Sequence, residues 1–277
     1  MRVDYLGVVK PQPLRDTGEG ALAEQWGLAQ LEACKPALIR LRQRSAQLPV
    51  PPVDSWLGRV DAKTEPFEAS QQARVLAAVA ADNLFEVNSS LTRRLPLFAT
   101  YSMIRSAVEA ASLALWILDA KSDDLAASRA LRVYRQNIES DRTLWNTVVG
   151  KEGYHDGLAR RAAQNHRRLR GVNHSAYEKA VLSTSVIQRI DARHPCENTG
   201  LDVFRGVDVW RLCSAVTHAN LVSFVNILET RPDASGTGSH RTSRISVVAA
   251  CYSSALHRAN LVIDAFATRS TPRRGSA

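Results

Sequence analysis

The chain has 277 residues, with 36 lysines and arginines against 27 aspartates and glutamates, which gives a formal net charge of +9 at pH 7. With 45% hydrophobic and 23% charged residues it can bury a sizeable core, which excludes wholesale disorder. No uncharged apolar run reaches the roughly 18 residues of a membrane span, and the N-terminal segment lacks the apolar centre of a secretory signal. We therefore expect a cytoplasmic protein that does not enter a membrane.

Apolar residues recur at helical spacing along most of the chain, whereas signals for alternating strands are absent. Pro51 and Pro52 end the first helix, and Ser122 is placed to cap the fourth. The segments 50–66 and 231–239 are predicted to be loops, the first with Trp56 packed against the body. The sequence predicts helices over residues 21–48, 69–88, 97–118, 123–149, 207–228 and 245–266.

This pattern predicts an all-α protein, an up-and-down helical bundle of about five to seven helices. Most of the chain falls into two halves of one bundle, separated by a less regular, basic helical insertion. The five predicted regions are an N-terminal leader and helix (1–67), the first half of the bundle (68–150), the insertion (151–200), the second half (201–269) and a disordered basic tail (270–277).

The predicted helix over 207–228 carries a polar stripe beside its apolar seam. Arg211 and His218 are seven positions apart, which returns them to within roughly 20° of one line on a helix, and Ser214 lies between them on the same side. Burying such a stripe without partners costs several kcal/mol. We therefore expect it to face solvent, a partner subunit or a polar pocket.

The residue types in this stripe suit the cleavage of a phosphodiester. A histidine that titrates near neutrality can take a proton from a ribose 2′-hydroxyl. A neighbouring guanidinium can hold the phosphate with two hydrogen bonds and stabilise its developing charge. The alternative is a histidine on the helix surface or between helices, paired with a carboxylate.

Three features of the sequence together resemble the HEPN superfamily of helical proteins, in particular its abortive-infection type. The first is Arg211 and His218 with six residues between them. The second is the segment 101–119, which has Arg105 and Glu109 followed by an aromatic and aliphatic run. The third is the Cys-Ser-Ala-Val-Thr-His-Ala-Asn phrase that ends at Asn220.

The resemblance implies a homodimer in which two Arg–His helices face each other and form one metal-independent endoribonuclease site, acting in growth arrest or phage defence. His218 is then the base, Arg211 the phosphate clamp, and Ser214 a supporting group. Glu109 then orients His218 or Arg211 from a neighbouring helix, with Arg105 in support; the alternative is that Arg105 and Glu109 form an internal salt link or one contact between two helices. The resemblance covers residues 69–269 but does not account for the segment 151–200, and neither a cofactor nor a metal is expected.

The densest basic run of the chain lies in residues 158–170, which contain five arginines and no acid. These residues can track a phosphate backbone, although a solvated helix face accounts for them equally well. No aromatic residue interrupts the run, so it offers no platform for base stacking. The candidate nucleic-acid-binding residues are Arg160, Arg161, Arg167, Arg168 and Arg170.

Two other functions stay open at the level of sequence. Leu212 stands where many active HEPN ribonucleases have a polar residue, which favours a non-catalytic helical module that binds a protein partner or a small ligand. A DNA-binding regulator ranks third, because no short helix pair with a tight turn stands out. The four cysteines are far apart and lack the spacing of a zinc site, so we expect them to be reduced.

Overall fold

The computed structural model describes residues 20–91, 98–148, 153, 155–195, 204–220, 227–232 and 239–272. Within these ranges the chain forms nine α-helices, one short 3₁₀ helix and two strands. The α-helices are α1 (Ala21–Ala46), α2 (Trp56–Thr64), α3 (Ala69–Leu91), α4 (Ala99–Leu118), α5 (Asp123–Val148), α6 (Asp156–Arg168), α7 (Ser183–Arg193), α8 (Gly206–Thr217) and α9 (Ile245–Ser270). The strands are β1 (Leu228–Pro232) and β2 (Ser239–Ser243), and the 3₁₀ helix is His174–Ala176.

The all-α prediction is confirmed: five long helices, α1, α3, α4, α5 and α9, make up most of the bundle. Helix α4 lies at its centre and packs on α3, α5, α7, α8 and α9. Thirteen of its 20 residues are buried, which is typical of a helix that is apolar on nearly every side. Because α4 contacts α8, it also supports the polar stripe predicted from the sequence.

Two predicted boundaries hold closely. The helix predicted over 21–48 is α1, and the apolar stripe predicted from residue 245 is α9. Ser122 caps α5 as expected, because the Leu125 amide donates to Ser122 Oγ over 3.2 Å. At the C-terminal end of α5 the apolar side chain of Val148 is 70% exposed.

The segment 50–66 is not a plain loop, because it contains α2. Ser55 begins this helix by accepting a hydrogen bond from the Gly58 amide at 3.0 Å. Trp56 does pack against the body, where the guanidinium of Arg269 lies 4.2 Å from its ring centroid. Ser55 is a residue type that commonly caps a helix, so the sequence did contain a signal for α2. The prolines at 51 and 52 favoured a loop prediction instead.

The single helix predicted over 207–228 is wrong. Helix α8 ends at Thr217, and Ala219 takes a positive φ of 55° that the helix cannot continue through. Residues 228–232 pair instead with 239–243 in an antiparallel hairpin, with Thr230 opposite Arg241. Both ends of the predicted loop 231–239 therefore belong to strands, while 221–226 and 233–238 lie outside the described residues.

The insertion predicted over 151–200 is more regular than expected, because it contains α6, the 3₁₀ helix and α7. The predicted leader falls almost wholly in residues 1–19, which lie outside the described ranges, as do residues 273–277 of the predicted tail. In the part of the chain that the structure describes, no helix combines the length and the apolarity needed to cross a membrane.

Helix α6 is held against α5 by a buried histidine. His166 is 2% exposed, and its Nε2 lies 2.8 Å from Ser128 Oγ. The ring stacks on Tyr177 at 4.4 Å and meets the edge of His174 at 5.3 Å between centroids. Burial lowers the pKa of His166 to about 4, and the nearby charges of His174 and Arg132 act in the same direction.

Stability is therefore expected to fall as the pH drops from about 6.5 to about 4, because His166 binds fewer protons in the folded than in the unfolded chain. This group alone accounts for a loss of up to about 3 kcal/mol. Urea unfolding at several pH values measures it. His166→Gln should make the free energy of unfolding less dependent on pH between about 4 and 6.5, whereas His218→Gln, at an exposed position, should not. If the wild type and both variants show the same pH dependence, His166 is not the group responsible.

Candidate functional site

The first turn of α8 is fixed by a carboxylate from another helix. Asp191 of α7 accepts hydrogen bonds from the amides of Gly206 at 3.0 Å and Val207 at 2.9 Å. It thereby satisfies two of the free donors that every helix N-terminus leaves, and its charge suits the positive end of the helix dipole. The same carboxylate pairs with the buried guanidinium of Arg258 on α9.

Gly206 leaves room for this ion pair where α8 passes it. A Cβ at position 206 would come within 2.1 Å of Arg258 Nη2, closer than any side chain allows. The absence of a side chain thus lets Arg258 reach Asp191 directly behind the helix. This contact between α7, α8 and α9 fixes the position and direction of α8. It thereby also fixes where the backbone of Arg211 lies.

The last turn of α8 closes in a Schellman motif. The Asn220 amide donates to the Ala215 carbonyl at 2.9 Å, and the Ala219 amide donates to the Val216 carbonyl at 3.0 Å. His218 is the C-cap residue of this turn. His218 therefore lies directly after the helix, whereas the sequence predicted that it lies within one.

Ala219→Gly is expected to stabilise the fold by about 0.5–1 kcal/mol, because glycine adopts a positive φ without the steric cost that alanine carries. Thermal or urea unfolding measures the gain. Ala215→Gly, inside the same helix, provides the control and should destabilise by about 1 kcal/mol. If both substitutions destabilise equally, the left-handed turn at Ala219 is not a source of strain.

The two ends of the polar stripe are exposed. Arg211 and His218 both face solvent, and Ser214 between them is half-buried. Among the described residues, neither the guanidinium of Arg211 nor the imidazole of His218 has a hydrogen-bond or ion-pair partner. The side chains that can contact a phosphodiester are therefore available to a ligand, and no described carboxylate pairs with His218.

Glu109 and Arg105 lie beside α8 but engage its tryptophan. The Nε1 of Trp210 donates to Glu109 at 3.3 Å, and the guanidinium carbon of Arg105 lies 5.0 Å from the centroid of the same ring. Ser183 at the start of α7 also donates to Glu109. Arg105 and Glu109 form no salt bridge, so both instead position Trp210, the residue before Arg211.

The basic run of residues 158–170 forms α6 and the bend that follows it. Ala162, Asn165 and His166 are its buried face, and all five predicted arginines are exposed on the other side. Three of them, Arg161, Arg168 and Arg170, line a pocket of about 530 Å³ together with Lys63 of α2.

The charge around this pocket is only partly compensated. Glu65 and Asp124 also line it, and the carboxylate of Asp124 pairs with Lys63 Nζ at 2.9 Å. The guanidinium groups of Arg161, Arg168 and Arg170 have no acidic partner in the described ranges. The pocket is therefore suited to an anion, whereas Arg160 and Arg167, which were also predicted to bind nucleic acid, lie outside it.

The two predicted sites have different packing partners. Helix α6 packs mainly on α5 and α2, whereas α8 packs mainly on α4, α7 and α9. The basic run therefore does not lie directly against the Arg211–His218 stripe. A ligand that touches both must pass over the surface that separates them.

Sequence reasoning missed the residues that hold α8 in place, namely Asp191 and Arg258. Arg258 stands alone among alanines, Val262 and Phe266 in the apolar stripe of α9, and a single charge in such a stripe is rarely buried without a partner. That was the available signal. No group of three or more potential metal ligands occurs among the residues that the structure describes.

Comparison of the chain with models of protein families, with curated proteins and with solved structures finds no match.

Proposed function

We propose that this protein binds RNA and cleaves it without a metal ion at Arg211 and His218, in growth arrest or phage defence. The observation that carries the proposal is that both side chains, Arg211 in the middle of α8 and His218 at its C-cap, are exposed and have no partner among the described residues. A histidine and an arginine kept free in this way, on a helix fixed by a buried ion pair, are suited to act on a ligand.

The proposed reaction is an in-line transfer at phosphorus. His218 takes the proton of the ribose 2′-hydroxyl, whose oxygen attacks the adjacent phosphorus while the bond to the 5′-oxygen breaks. Arg211 donates two hydrogen bonds to the non-bridging oxygens, where negative charge accumulates. The products are a 2′,3′-cyclic phosphate and a 5′-hydroxyl, and the latter receives its proton from a general acid.

The need for that acid favours a dimer. One chain supplies one imidazole at the stripe, and this imidazole is occupied as the base. A second copy that presents its own α8 across a twofold axis adds a second imidazole, which can protonate the leaving oxygen. The proposed active unit is therefore a homodimer with the two stripes facing each other.

The test is incubation of the purified protein with end-labelled single-stranded RNA in the presence of excess EDTA. The proposal expects fragments that carry 2′,3′-cyclic phosphate and 5′-hydroxyl ends. Arg241→Ala, which removes an exposed arginine of the β-hairpin, is the control and should cleave like the wild type. Intact RNA under all conditions, or fragments with 5′-phosphate ends, would reject the mechanism.

The second candidate is a non-catalytic module that binds an anionic ligand. It is favoured by the pocket at α2 and α6, where three arginines without acidic partners surround about 530 Å³. Leu212, a half-buried apolar residue after Arg211, is consistent with it. Expression separates the two, because an active ribonuclease arrests growth of the host and a binding module does not.

A further inference from the structure

A second group of arginines, separate from the basic run of α6 and from the α8 stripe, gathers at the C-terminal end of α4. Two come from α5 and two from α7. The guanidinium carbons of the α5 pair both lie 5.3 Å from the centroid of Trp116. We refer to the following four residues as the arginine cluster: Arg129, Arg132, Arg189 and Arg193.

Arg129 is the buried member of the cluster, at 3% exposure. Its Nη1 donates to the carbonyl of Trp116, whereas its Nε is buried without a hydrogen-bond partner. Burial, together with the charges of Arg189 and Arg193, lowers the pKa of Arg129 to about 10, so the two arginines of α7 lie close enough to Arg129 to repel its charge.

The described residues compensate this charge only in part. Asp119 is the acid that acts on Arg129, and it is already paired with Arg193. His194, the next residue, lies 3.9 Å from the same carboxylate. Arg129 and Arg193 therefore share one carboxylate, and Arg132 and Arg189 have no acidic partner in the described ranges. An uncompensated buried charge is costly, and a bound anion removes that cost.

The chemistry of the cluster favours a phosphate. Arginine presents planar, paired donors that match phosphate oxygens. Trp116 is only 5% exposed and already faces two guanidinium groups, so it cannot stack a base. The cluster is therefore suited to the charged part of a nucleotide and has no described platform for its base.

The position of the cluster links the two sites described above. Helix α5 packs on α6, which carries the basic run, and α7 packs on α8, which carries Arg211. The cluster lies where side chains of α5 and α7 approach each other. Along the axis of α4, Trp116 is seven residues, about 10 Å, from the level of Glu109, which contacts α8.

We propose that the arginine cluster is a phosphate-binding site, and that the phosphate belongs to the backbone of an RNA strand running between α6 and α8. The phosphate chemistry stands independently, whereas its assignment to RNA rests on the RNA-binding part of the proposed function and not on cleavage.

The first test uses the double variant Arg132→Gln/Arg189→Gln, called the cluster variant. It removes half-buried Arg132 and exposed Arg189, which have no acidic partner in the described ranges. Arg40→Gln/Arg241→Gln removes two exposed arginines elsewhere and is the matched control. Excess pyrophosphate at constant ionic strength should raise the melting temperature of the wild type and the control by about 3–5 °C. The cluster variant should gain less than half of this.

The melting temperature of the cluster variant without pyrophosphate shows whether a smaller gain comes from misfolding. Because it relieves repulsion between like charges, its melting temperature without pyrophosphate should equal or exceed that of the wild type. An equal rise in all three proteins, or no rise in the wild type, would overturn the phosphate site. A lower melting temperature of the variant without ligand would overturn the view that the cluster is under-compensated.

The second test measures binding of a labelled single-stranded RNA by fluorescence anisotropy, with His218→Ala in every protein so that the RNA stays intact. The cluster variant should bind about tenfold more weakly than the control, with a shallower dependence on salt. Pyrophosphate should compete with the RNA for the wild-type cluster.

The outcomes separate the two proposals. If RNA binds and the cluster variant binds it equally well, the RNA assignment of the cluster fails and the proposed function stands. If pyrophosphate binds at the cluster and RNA does not bind at all, the phosphate site stands, its source is a free phosphate ligand, and the proposed function fails. If neither binds, both proposals fail.

Discussion

Replacing Arg258 with methionine is expected to lower the free energy of unfolding by about 3–5 kcal/mol. The side chain of Arg258 is 4% exposed and that of its partner Asp191 is 10% exposed. Nη1 of Arg258 also donates to Ser112 Oγ at 3.2 Å. The substitution leaves the Asp191 charge buried without its cation, and it loosens the contact through which α7, α8 and α9 meet.

Urea unfolding followed by circular dichroism measures this loss. Arg44→Met is the matched control, because it breaks an exposed ion pair with Asp264 of α9, in which the side chains are 44% and 62% exposed. Exposed pairs contribute less than about 1 kcal/mol. The control should therefore keep a free energy of unfolding within about 1 kcal/mol of the wild type. If Arg258→Met also stays within that range, the ion pair does not hold α8 in place.

The second large effect concerns the proposed cleavage. His218→Ala is expected to lower the rate of RNA cleavage by about 10²–10⁴-fold, which is the usual contribution of a positioned general base. Arg211→Ala is expected to cost about 10²–10³-fold through loss of charge stabilisation at the phosphate. Single-turnover cleavage of labelled RNA measures both rates.

These substitutions separate chemistry from folding, because both residues are exposed and lack partners among the described residues. Their melting temperatures should stay within about 2 °C of the wild type, as for most surface substitutions. His257→Ala, which removes another exposed histidine, and Arg241→Ala are the controls and should cleave normally. A cleavage rate for His218→Ala equal to that of His257→Ala would remove His218 from the reaction.

The bundle could be predicted because its long helices carry regular apolar seams. Helix α4 is the clearest case, since its seam matches the buried residues from Tyr101 to Leu118. Helix α2 was missed because it is only nine residues long and follows two prolines. Helical spacing of apolar residues predicts a helix well over the five turns of α4 and poorly over the two turns of α2.

The end of α8 could not be read from the sequence. A glycine after His218 would have marked the left-handed turn, but alanine occupies that position, at a φ of 55°. The apolar seam therefore seemed to continue to residue 228, where the structure has the start of β1. Because α8 ends at Thr217, the helical spacing expected between Arg211 and His218 applies only up to the residue before His218.

Contacts between distant segments were the least predictable part of the site. Asp191 and Arg258 are 67 positions apart, and the arginine cluster joins α5 to α7. No periodicity within either helix indicates such a pairing, because it depends on how the helices pack on α4. Glu109 was correctly placed beside α8, although it contacts Trp210 and not the Arg211–His218 pair.

The central claim is that His218 takes a proton from a ribose 2′-hydroxyl while Arg211 holds the phosphate. The most direct measurement compares cleavage of an RNA with cleavage of the same strand carrying 2′-deoxyribose at the cleaved position, in EDTA. The account predicts that both strands bind with similar affinity, that only the ribose strand is cleaved, and that His218→Ala cleaves it about 10²–10⁴-fold more slowly. Cleavage of the deoxy strand at the same rate, or unchanged cleavage by His218→Ala, would contradict it.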